Sequence, residues 1–366
     1  MNALKLSQPE GKLQVGTQAI TGRENYTRAI EFKGPVYLPV AVNCDLSWLY
    51  EQDEGKQARV RELMARFPPD IIGKLGCWLN ESDPVTENGV TRWVDEWGTC
   101  WEDDGHGGKT EGYPPLEAGY SRLDSYTFPD PDRPGRFDHS DKALKDRGGR
   151  YAQARVWFTL FERLWMLRGF NNMLTDPYTE PEGFRRLRDR VVETNLGMID
   201  RWVERNVDGV YFSDDWGSQR GLLMNPDDWR RFYKPAYAAM FRRVRQGGAH
   251  VWMHLCGDVT AIIPDLIDIG LNVLNPVQPQ AMDVRHLSRE FGGRICFWGG
   301  VDVQGTLIRG KPEDVKREVH ELARLFGRFD GGYIGGTSHS VMPETPLDNV
   351  IAMYEAFAEY TRGRGA

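Results

Sequence analysis

The feature that most constrains this chain begins at about residue 181, where amphipathic helices alternate with short apolar runs that end in polar or glycine-rich turns. This alternation is typical of βα units, which build parallel sheets. The apolar runs predict strands at 209–212, 250–253, 272–274, 295–298 and 332–334. The helices are expected at 181–205, 225–246, 259–269, 283–290, 312–327 and 346–361. The sequence therefore predicts an α/β fold.

The less regular N-terminal part supplies the other strands of the predicted sheet. Apolar runs at 36–40 and 91–94 predict two of them, and one more is expected within 151–174. Eight parallel strands that alternate with helices close into a TIM (β/α)8 barrel. The stretch 100–150 is rich in Gly, Pro and Asp and predicts a long excursion over the barrel mouth. The chain 1–366 is therefore expected to form one elaborated barrel domain.

Composition narrows the classes of partner. The hydrophobic and charged fractions, 40% and 27%, are those of an ordinary globular protein. The net charge of -7, with acidic residues spread along the chain, favours neither nucleic acid nor an anionic membrane. No apolar run approaches the roughly 18 residues of a membrane span, and the first residues lack a signal-peptide core. Five scattered cysteines indicate reduced thiols, so we expect a cytoplasmic protein.

Polar side chains follow the predicted strands, at the end where a barrel places its active site. His254 and Cys256 are one residue apart at such an end, so both side chains project to the same side. A neutral imidazole and a thiolate are typical zinc ligands, and a catalytic zinc takes three protein ligands. The pair therefore predicts either a metal site or a buried cysteine beside a hydrogen-bonded histidine.

Further candidates lie at other strand ends. His339 follows the last predicted strand and suits a third ligand, a general acid or a substrate donor. Asp214 and Asp215 directly follow strand 209–212, where they would ligate metal or bind substrate, unless Asp215 caps the next helix. Asp95 repeats this arrangement after 91–94.

Four more side chains near strand ends are expected to contact substrate or to shape the turns. Trp97 and Trp216 would give aromatic walls for a flat or aryl substrate, although structural tryptophans fit the same pattern. Gln278 and Asp302 follow the strands at 272–274 and 295–298 and offer polar contacts.

Three motifs together resemble the uroporphyrinogen decarboxylase superfamily, a set of TIM-barrel proteins that includes the decarboxylase and related corrinoid- or thiol-directed methyltransferases. They are His254-Leu255-Cys256-Gly257-Asp258, Gly299-Gly300-Val301-Asp302-Val303-Gln304 and the stretch 339–350. The resemblance covers residues 23–361 and is strongest after 209.

The chain resembles the zinc- and corrinoid-dependent methyltransferase branch more than the true decarboxylase. The decarboxylase opens with an Arg-Gln-Ala-Gly-Arg motif, which this N-terminal region lacks. Its polyanionic porphyrinogen needs several Arg or Lys side chains, whereas the predicted strand ends here are rich in Asp. In the methyltransferase branch the His-x-Cys pair binds zinc, usually with a second cysteine at the place of His339. The final decarboxylase motif places a histidine there.

The resemblance implies a zinc-dependent methyltransferase, in particular an O-demethylase that passes the methyl group of a methoxy or ether substrate to a corrinoid on a separate protein. His254 and Cys256 would hold zinc, His339 or Asp215 would complete the site, and Asp95 would orient substrate or move protons. Two alternatives stay open: a metal-independent decarboxylase-like lyase that uses His339 and Asp95 for proton transfer, and a catalytically silent binding barrel. The partner candidates are a small-molecule substrate, the corrinoid protein and a second copy of the chain.

Overall fold

The computed structural model describes residues 20–42, 46–50, 53–103, 109–111 and 113–364. Its strands are β1 Ile71–Leu75, β2 Val85–Glu87, β3 Val90–Val94, β4 Cys100–Asp103, β5 Lys109–Glu111, β6 Tyr151–Val156, β7 Gly209–Ser213, β8 Gly217–Ser218, β9 Gly221–Leu222, β10 His250–His254, β11 Val273–Val277, β12 Cys296–Val301 and β13 Tyr333–Thr337. Its α-helices are α1 Gly22–Ile30, α2 Leu46–Leu49, α3 Glu54–Arg66, α4 Asp138–Lys145, α5 Phe161–Arg168, α6 Phe170–Thr179, α7 Pro181–Glu204, α8 Pro226–Phe232, α9 Lys234–Gln246, α10 Ile263–Asp268, α11 Val284–Phe291, α12 Thr306–Arg309, α13 Pro312–Phe326 and α14 Leu347–Arg364. Among these helices, none has the length and apolar character needed to cross a membrane.

Seven strands form one parallel sheet in the order β1-β6-β7-β10-β11-β12-β13. Val40 forms a parallel bridge with Gly335 of β13 and occupies the next position in the sheet. The fold is an α/β TIM barrel, which confirms the fold class expected from the repeating pattern. Among the described residues, the predicted strand 36–40 pairs with the sheet at this bridge alone. The amides of Val36 and Leu38 donate to the side chains of Asn25 and Thr361, and Pro39 has no amide hydrogen to donate.

Large aromatic side chains fill the inside of the barrel. Tyr151, Tyr211, Trp252 and Trp298 alternate with residues that face the helices, and all four are buried. The rings of Trp252 and Trp298 pack edge to face with centroids 5.5 Å apart. This layer fills the interior below the carboxyl ends of the strands, the end at which barrels bind their ligands.

The prediction that 91–94 is a barrel strand is wrong. β3 lies in a separate antiparallel sheet of order β2-β3-β4-β5, inside an excursion that runs from the end of β1 to the start of β6. Asn88 and Gly89 both have positive φ, 52° and 79°, and turn β2 into β3 as a hairpin. The barrel strand in its place is β1. Gly73 and Lys74 interrupt its apolar run, so the sequence pattern does not predict it.

Two further comparisons concern single elements. The strand expected within 151–174 is β6, and all of its residues are buried. The helix expected over 225–246 is two helices, α8 and α9, because Pro235 cannot continue the hydrogen bonding of α8. The excursion reaches the barrel mouth, where Trp101 of β4 stacks on Phe158 just after β6 with ring centroids 5.4 Å apart.

Candidate metal centre

Three side chains suited to metal binding meet at the barrel mouth. His254 is the last residue of β10, Cys256 follows two residues later, and His339 lies two residues after β13. Their donor atoms all lie within 4.8 Å of one another, and Nε2 of His254 is 3.1 Å from Sγ of Cys256. His254 is buried, Cys256 is half-buried and His339 is exposed. The cluster is therefore held from below and open to solvent beside His339.

A tight turn after β10 positions Cys256. Gly257 has a φ of +79°, and its α-carbon lies directly against the backbone of Gly217, where a Cβ would come within 2.3 Å of the Gly217 carbonyl carbon. Glycine is needed because no other residue combines this φ with so close an approach. The turn directs the Cys256 side chain back toward His254.

Asn275 of β11 sets the orientation and tautomer of His254. The Asn275 side-chain amide Nδ2 donates to the carbonyl of Trp298 at 3.2 Å, and its Oδ1 accepts from the Tyr211 hydroxyl at 2.9 Å. Oδ1 is also 2.8 Å from Nδ1 of His254. Because Oδ1 can only accept, the imidazole carries its proton on Nδ1 and turns the lone pair of Nε2 toward Cys256.

The donor set fits zinc. Two imidazole nitrogens and one thiolate are ligands that zinc prefers, and three protein ligands leave a fourth position for substrate or water. Ligand atoms around a tetrahedral zinc lie roughly 3.5 Å apart, which falls between the 3.1 Å of His254 to Cys256 and the 4.8 Å limit for the cluster. The hydrogen bond from His254 to Asn275 is the kind of contact that orients ligating histidines.

Asp215 is the carboxylate nearest to this cluster. Its Oδ1 accepts a hydrogen bond from the Cys256 amide at 3.0 Å and lies 3.8 Å from Nε2 of His254. Burial raises the pKa of the Cys256 thiol, and the Asp215 charge raises it further. Burial lowers the pKa of His339, with a further contribution from His254 that Asp215 opposes. His339 is therefore neutral near pH 7, with a lone pair free to bind.

Asp214 and Trp216, on either side of Asp215, point into the protein interior and not into the mouth. Asp214 is fully buried and accepts hydrogen bonds from the backbone amides of Leu160 and Glu162, both at 2.8 Å, where α5 begins. Trp216 is fully buried against aromatic side chains of α8 and α9. Both side chains join the β7 turn to the helices around it.

Glu162 is a buried carboxyl group close to the cluster. Burial and the nearby charges of Asp214 and Asp215 raise the pKa of Glu162. Burial also raises the pKa of Asp214, but hydrogen bonds from two amides and a phenol favour its charged form. Among the described residues, the Glu162 carboxyl group accepts from the Ser213 hydroxyl alone, at 3.3 Å. Glu162 is therefore the carboxyl group of this pair that keeps its proton at neutral pH.

Asp95 and Trp97 belong to the excursion. Asp95 Oδ1 accepts from the amides of Trp97 and Thr99 at 2.9 Å, and its Oδ2 accepts from Trp101 and from Nη1 of Arg163 in α5 at 3.0 Å. The Arg163 guanidinium also lies over the Trp97 ring, 4.8 Å from its centroid. The structure thus places both residues where the excursion joins the barrel, with every Asp95 oxygen already engaged.

An open cleft of about 780 Å³ adjoins His339. Gln278 lines it and accepts a hydrogen bond from the Gly257 amide at 2.9 Å, which links the cleft to the Cys256 turn. Asp302 is buried behind the wall and accepts from Nε2 of Gln280 at 2.6 Å. The cleft walls are mainly uncharged amides and apolar side chains, among them Gln219, Gln278, Gln280, Val303, Gln304 and Met342.

Sequence reasoning missed four side chains around the cluster. Asn275 follows two apolar residues of a predicted strand, and its side chain carries no local sign of a site role. Glu162 lies in a helix that the sequence pattern did not predict. Arg155 and Trp157 were not among the predicted site residues, because the strand expected within 151–174 had no definite position. The signal was present in the run Ala154-Arg155-Val156-Trp157, where a charged residue interrupts an apolar strand.

The fold and this cluster define a TIM-barrel protein with a histidine and cysteine centre at the mouth. The protein-family model described as "Uroporphyrinogen decarboxylase (URO-D)" matches residues 158–360, more than half of the chain. The chain belongs to the uroporphyrinogen decarboxylase family.

Relatives in this family carry two kinds of name. Uroporphyrinogen decarboxylase of Chlorobaculum tepidum is 22% identical over 185 residues, 50% of this chain and 50% of the relative. Methylcobamide:CoM methyltransferase MtaA of Methanosarcina barkeri is 27% identical over 177 residues, 48% of this chain and 49% of the relative. The chain thus spans about half the length of the curated relatives it matches.

A solved structure confirms the fold over nearly the whole chain. A methyltransferase from Methanosarcina mazei superposes with a TM-score of 0.68 at 18% identity, and the match covers 93% of this chain and 99% of that one.

Proposed function

We propose that the protein is a zinc-dependent methyltransferase, with His254, Cys256 and His339 as the metal ligands. The observation that carries the proposal is the convergence of these three donors within 4.8 Å at the barrel mouth. The named methyltransferase among the relatives supports it. The substrate class we propose is a methoxy or ether compound, with the methyl group passed to a corrinoid on a separate protein. Bound zinc would polarise the oxygen or sulfur atom that exchanges the methyl group.

The chain's own residues would hold and orient the reactants. Asn275 keeps Nε2 of His254 facing the centre. Asp215 fixes the Cys256 amide and presents a half-exposed carboxylate to the mouth. Glu162, whose pKa is raised by burial and by the nearby carboxylates, is our candidate to supply a proton to a departing oxygen. Gln278 would contact substrate in the cleft.

We assign positioning roles to four other residues. Asp95 and Trp97 hold the excursion against α5 through Arg163. Asp214 binds the first turn of α5, and Asp302 holds the Gln280 side chain at the cleft wall. We assign Asp95 no part in proton transfer, because its two carboxylate oxygens already accept four hydrogen bonds.

The test of the proposal is methyl transfer from 4-methoxybenzoate or 2-methoxyphenol to cob(I)alamin. The reaction is monitored by the absorbance of the methylated corrinoid and by the amount of phenol released. We expect turnover with the zinc-loaded protein, loss of turnover after chelation, and recovery when zinc is returned. Full activity of the metal-free protein in releasing carbon dioxide from a porphyrinogen, with no methyl transfer, would establish the decarboxylase-like alternative.

The hydrogen bond from His254 to Asn275 gives a separate prediction. Replacing Asn275 by leucine keeps the side-chain size but removes the acceptor for Nδ1, so the imidazole can rotate and change tautomer. We expect zinc affinity to fall about 10- to 100-fold, measured by competition with a chromogenic chelator. Asn272→Leu is the control, because the Asn272 side chain accepts from the Val251 amide at the opposite end of the sheet. Equal zinc affinities in the two variants would contradict the role of Asn275.

A further inference from the structure

A buried arginine lies inside the barrel mouth with no ion-pair partner among the described residues. Arg155 is on β6, and its side chain is on the same face of the strand as Tyr151, inside the barrel. The residue is 9% exposed. Its guanidinium carbon is 5.2 Å from the ring centroid of Trp157 and 5.2 Å from that of Tyr211. The cation thus lies against two neighbouring aromatic rings, whose centroids are 6.0 Å apart.

Part of the hydrogen-bonding capacity of Arg155 is unused. Nε is buried without an acceptor, and no carboxylate of the described residues forms an ion pair with the guanidinium. Gln153, two residues earlier on the same strand face, also has a buried side-chain nitrogen, Nε2, without an acceptor. Burial lowers the pKa of Arg155, but a guanidinium stays charged at neutral pH. Cation–π contacts offset part of this desolvation and give the N–H groups no acceptor.

The guanidinium is close to the candidate metal centre. The rings of Trp157 and Tyr211 that contact it also lie beside His254, each with its centroid 6.3 Å from the imidazole centroid. Two aromatic rings therefore separate an unpaired cation from the His254, Cys256 and His339 cluster. Elsewhere in the protein, buried arginines such as Arg136, Arg163 and Arg168 each have a carboxylate partner.

We propose that Arg155 binds the carboxylate of an aromatic substrate whose methoxy group reaches the metal centre, an inference that rests on the proposed methyltransferase function. Nε and one Nη of a guanidinium form a planar fork that matches the two oxygens of a carboxylate. Trp157 and Tyr211 provide flat surfaces for the ring between the two ends of the substrate. One enclosed cation selects one carboxylate, so a monoanionic methoxybenzoate fits this site and a polyanionic porphyrinogen does not.

The test measures binding without turnover. Zinc-loaded protein is titrated by calorimetry with 4-methoxybenzoate and with 4-methoxybenzamide, a neutral compound of nearly the same shape. We expect the carboxylate to bind about 30-fold tighter than the amide, the size of effect typical of hydrogen bonds to a charged group. In Arg155→Met the two compounds should bind equally. Arg155→Lys should retain part of the preference, because it keeps the charge and loses the fork.

Arg289→Met serves as the matched control, since Arg289 of α11 is an exposed arginine that does not line the cleft. It should leave the preference for the carboxylate intact. Equal binding of the two compounds to the wild type, or binding of neither, would overturn the proposal. Folding of Arg155→Met is checked by its melting temperature and zinc content, which should match the wild type.

The outcome separates this inference from the proposed function. A preference for the carboxylate that disappears in Arg155→Met, in a protein with no methyl transfer to corrinoid, would keep the anion site and reject the methyltransferase. Methyl transfer from 2-methoxyphenol, with no preference for carboxylates in binding, would keep the methyltransferase and reject the anion site.

Discussion

Replacing Cys256 by serine is expected to abolish stable zinc binding and to reduce methyl transfer at least about 100-fold. The thiolate is the one anionic ligand among the three donors, and a serine hydroxyl is a weak zinc ligand at neutral pH. The measurement is the zinc content of the purified protein, by elemental analysis, together with the rate of methyl transfer. Because Ser and Cys have nearly the same size, the turn at Gly257 and the fold should be unaffected.

Cys100→Ser is the matched control for this substitution. Cys100 is also a free, half-buried thiol, but it lies on β4 of the excursion and is not part of the His254, Cys256 and His339 cluster. That variant should keep wild-type zinc content and activity. Equal and negligible zinc in the wild type and in Cys256→Ser would reject the metal site, and undiminished activity of a zinc-free Cys256→Ser protein would reject its role in the reaction.

Replacing Arg136 by methionine is expected to lower the free energy of unfolding by about 3–5 kcal/mol, the usual cost of leaving one member of a buried ion pair without its partner. The Arg136 side chain is 0% exposed and that of Glu96 is 3% exposed. Nη1 of Arg136 is 2.7 Å from Oε1 of Glu96, and Nε donates to the Asp130 carbonyl at 3.0 Å. The guanidinium also donates to the carbonyl of Cys77, just after β1. One side chain thus joins three segments of the excursion.

Urea unfolding followed by tryptophan fluorescence measures this effect, since Trp97 lies next to Glu96. The control is Arg92→Met, which breaks an Arg–Glu pair of similar geometry that is half open to solvent. It should leave the urea midpoint unchanged, because water screens such pairs. A double variant, Arg136→Met with Glu96→Gln, should recover part of the loss by removing the unpaired charge. A loss below about 1 kcal/mol in Arg136→Met would show that this pair does not hold the excursion.

The C-terminal half of the fold was predictable because its strands are buried on both faces. β7, β10, β11, β12 and β13 consist entirely, or almost entirely, of buried residues, and such strands appear in a sequence as continuous apolar runs. The N-terminal half was harder because its barrel strands include glycine or polar residues. β1 contains Gly73 and Lys74, and β6 contains Gln153 and Arg155, so neither is a continuous apolar run.

The error at 91–94 has a local origin. Its apolar residues are typical of a strand, and β3 is a strand. The predicted pairing was wrong, because the tight Asn88-Gly89 turn pairs β3 with β2 as a hairpin and not with a barrel strand. The position of Asp95 at the end of β3 therefore puts it in the excursion and not among the barrel strand ends.

The sequence by itself determined the order of the βα units and the placement of His254 and Cys256 on one side of a strand, since both follow from the periodicity of helices and strands. Only the tertiary structure decided which distant residues complete the site. The parallel register pairs His254 with Asn275 of β11, barrel curvature brings His339 within reach of Cys256, and the interior face of β6 holds Arg155 beside Trp157 and Tyr211. These contacts join residues far apart in the chain, and no local pattern encodes the register and closure that create them.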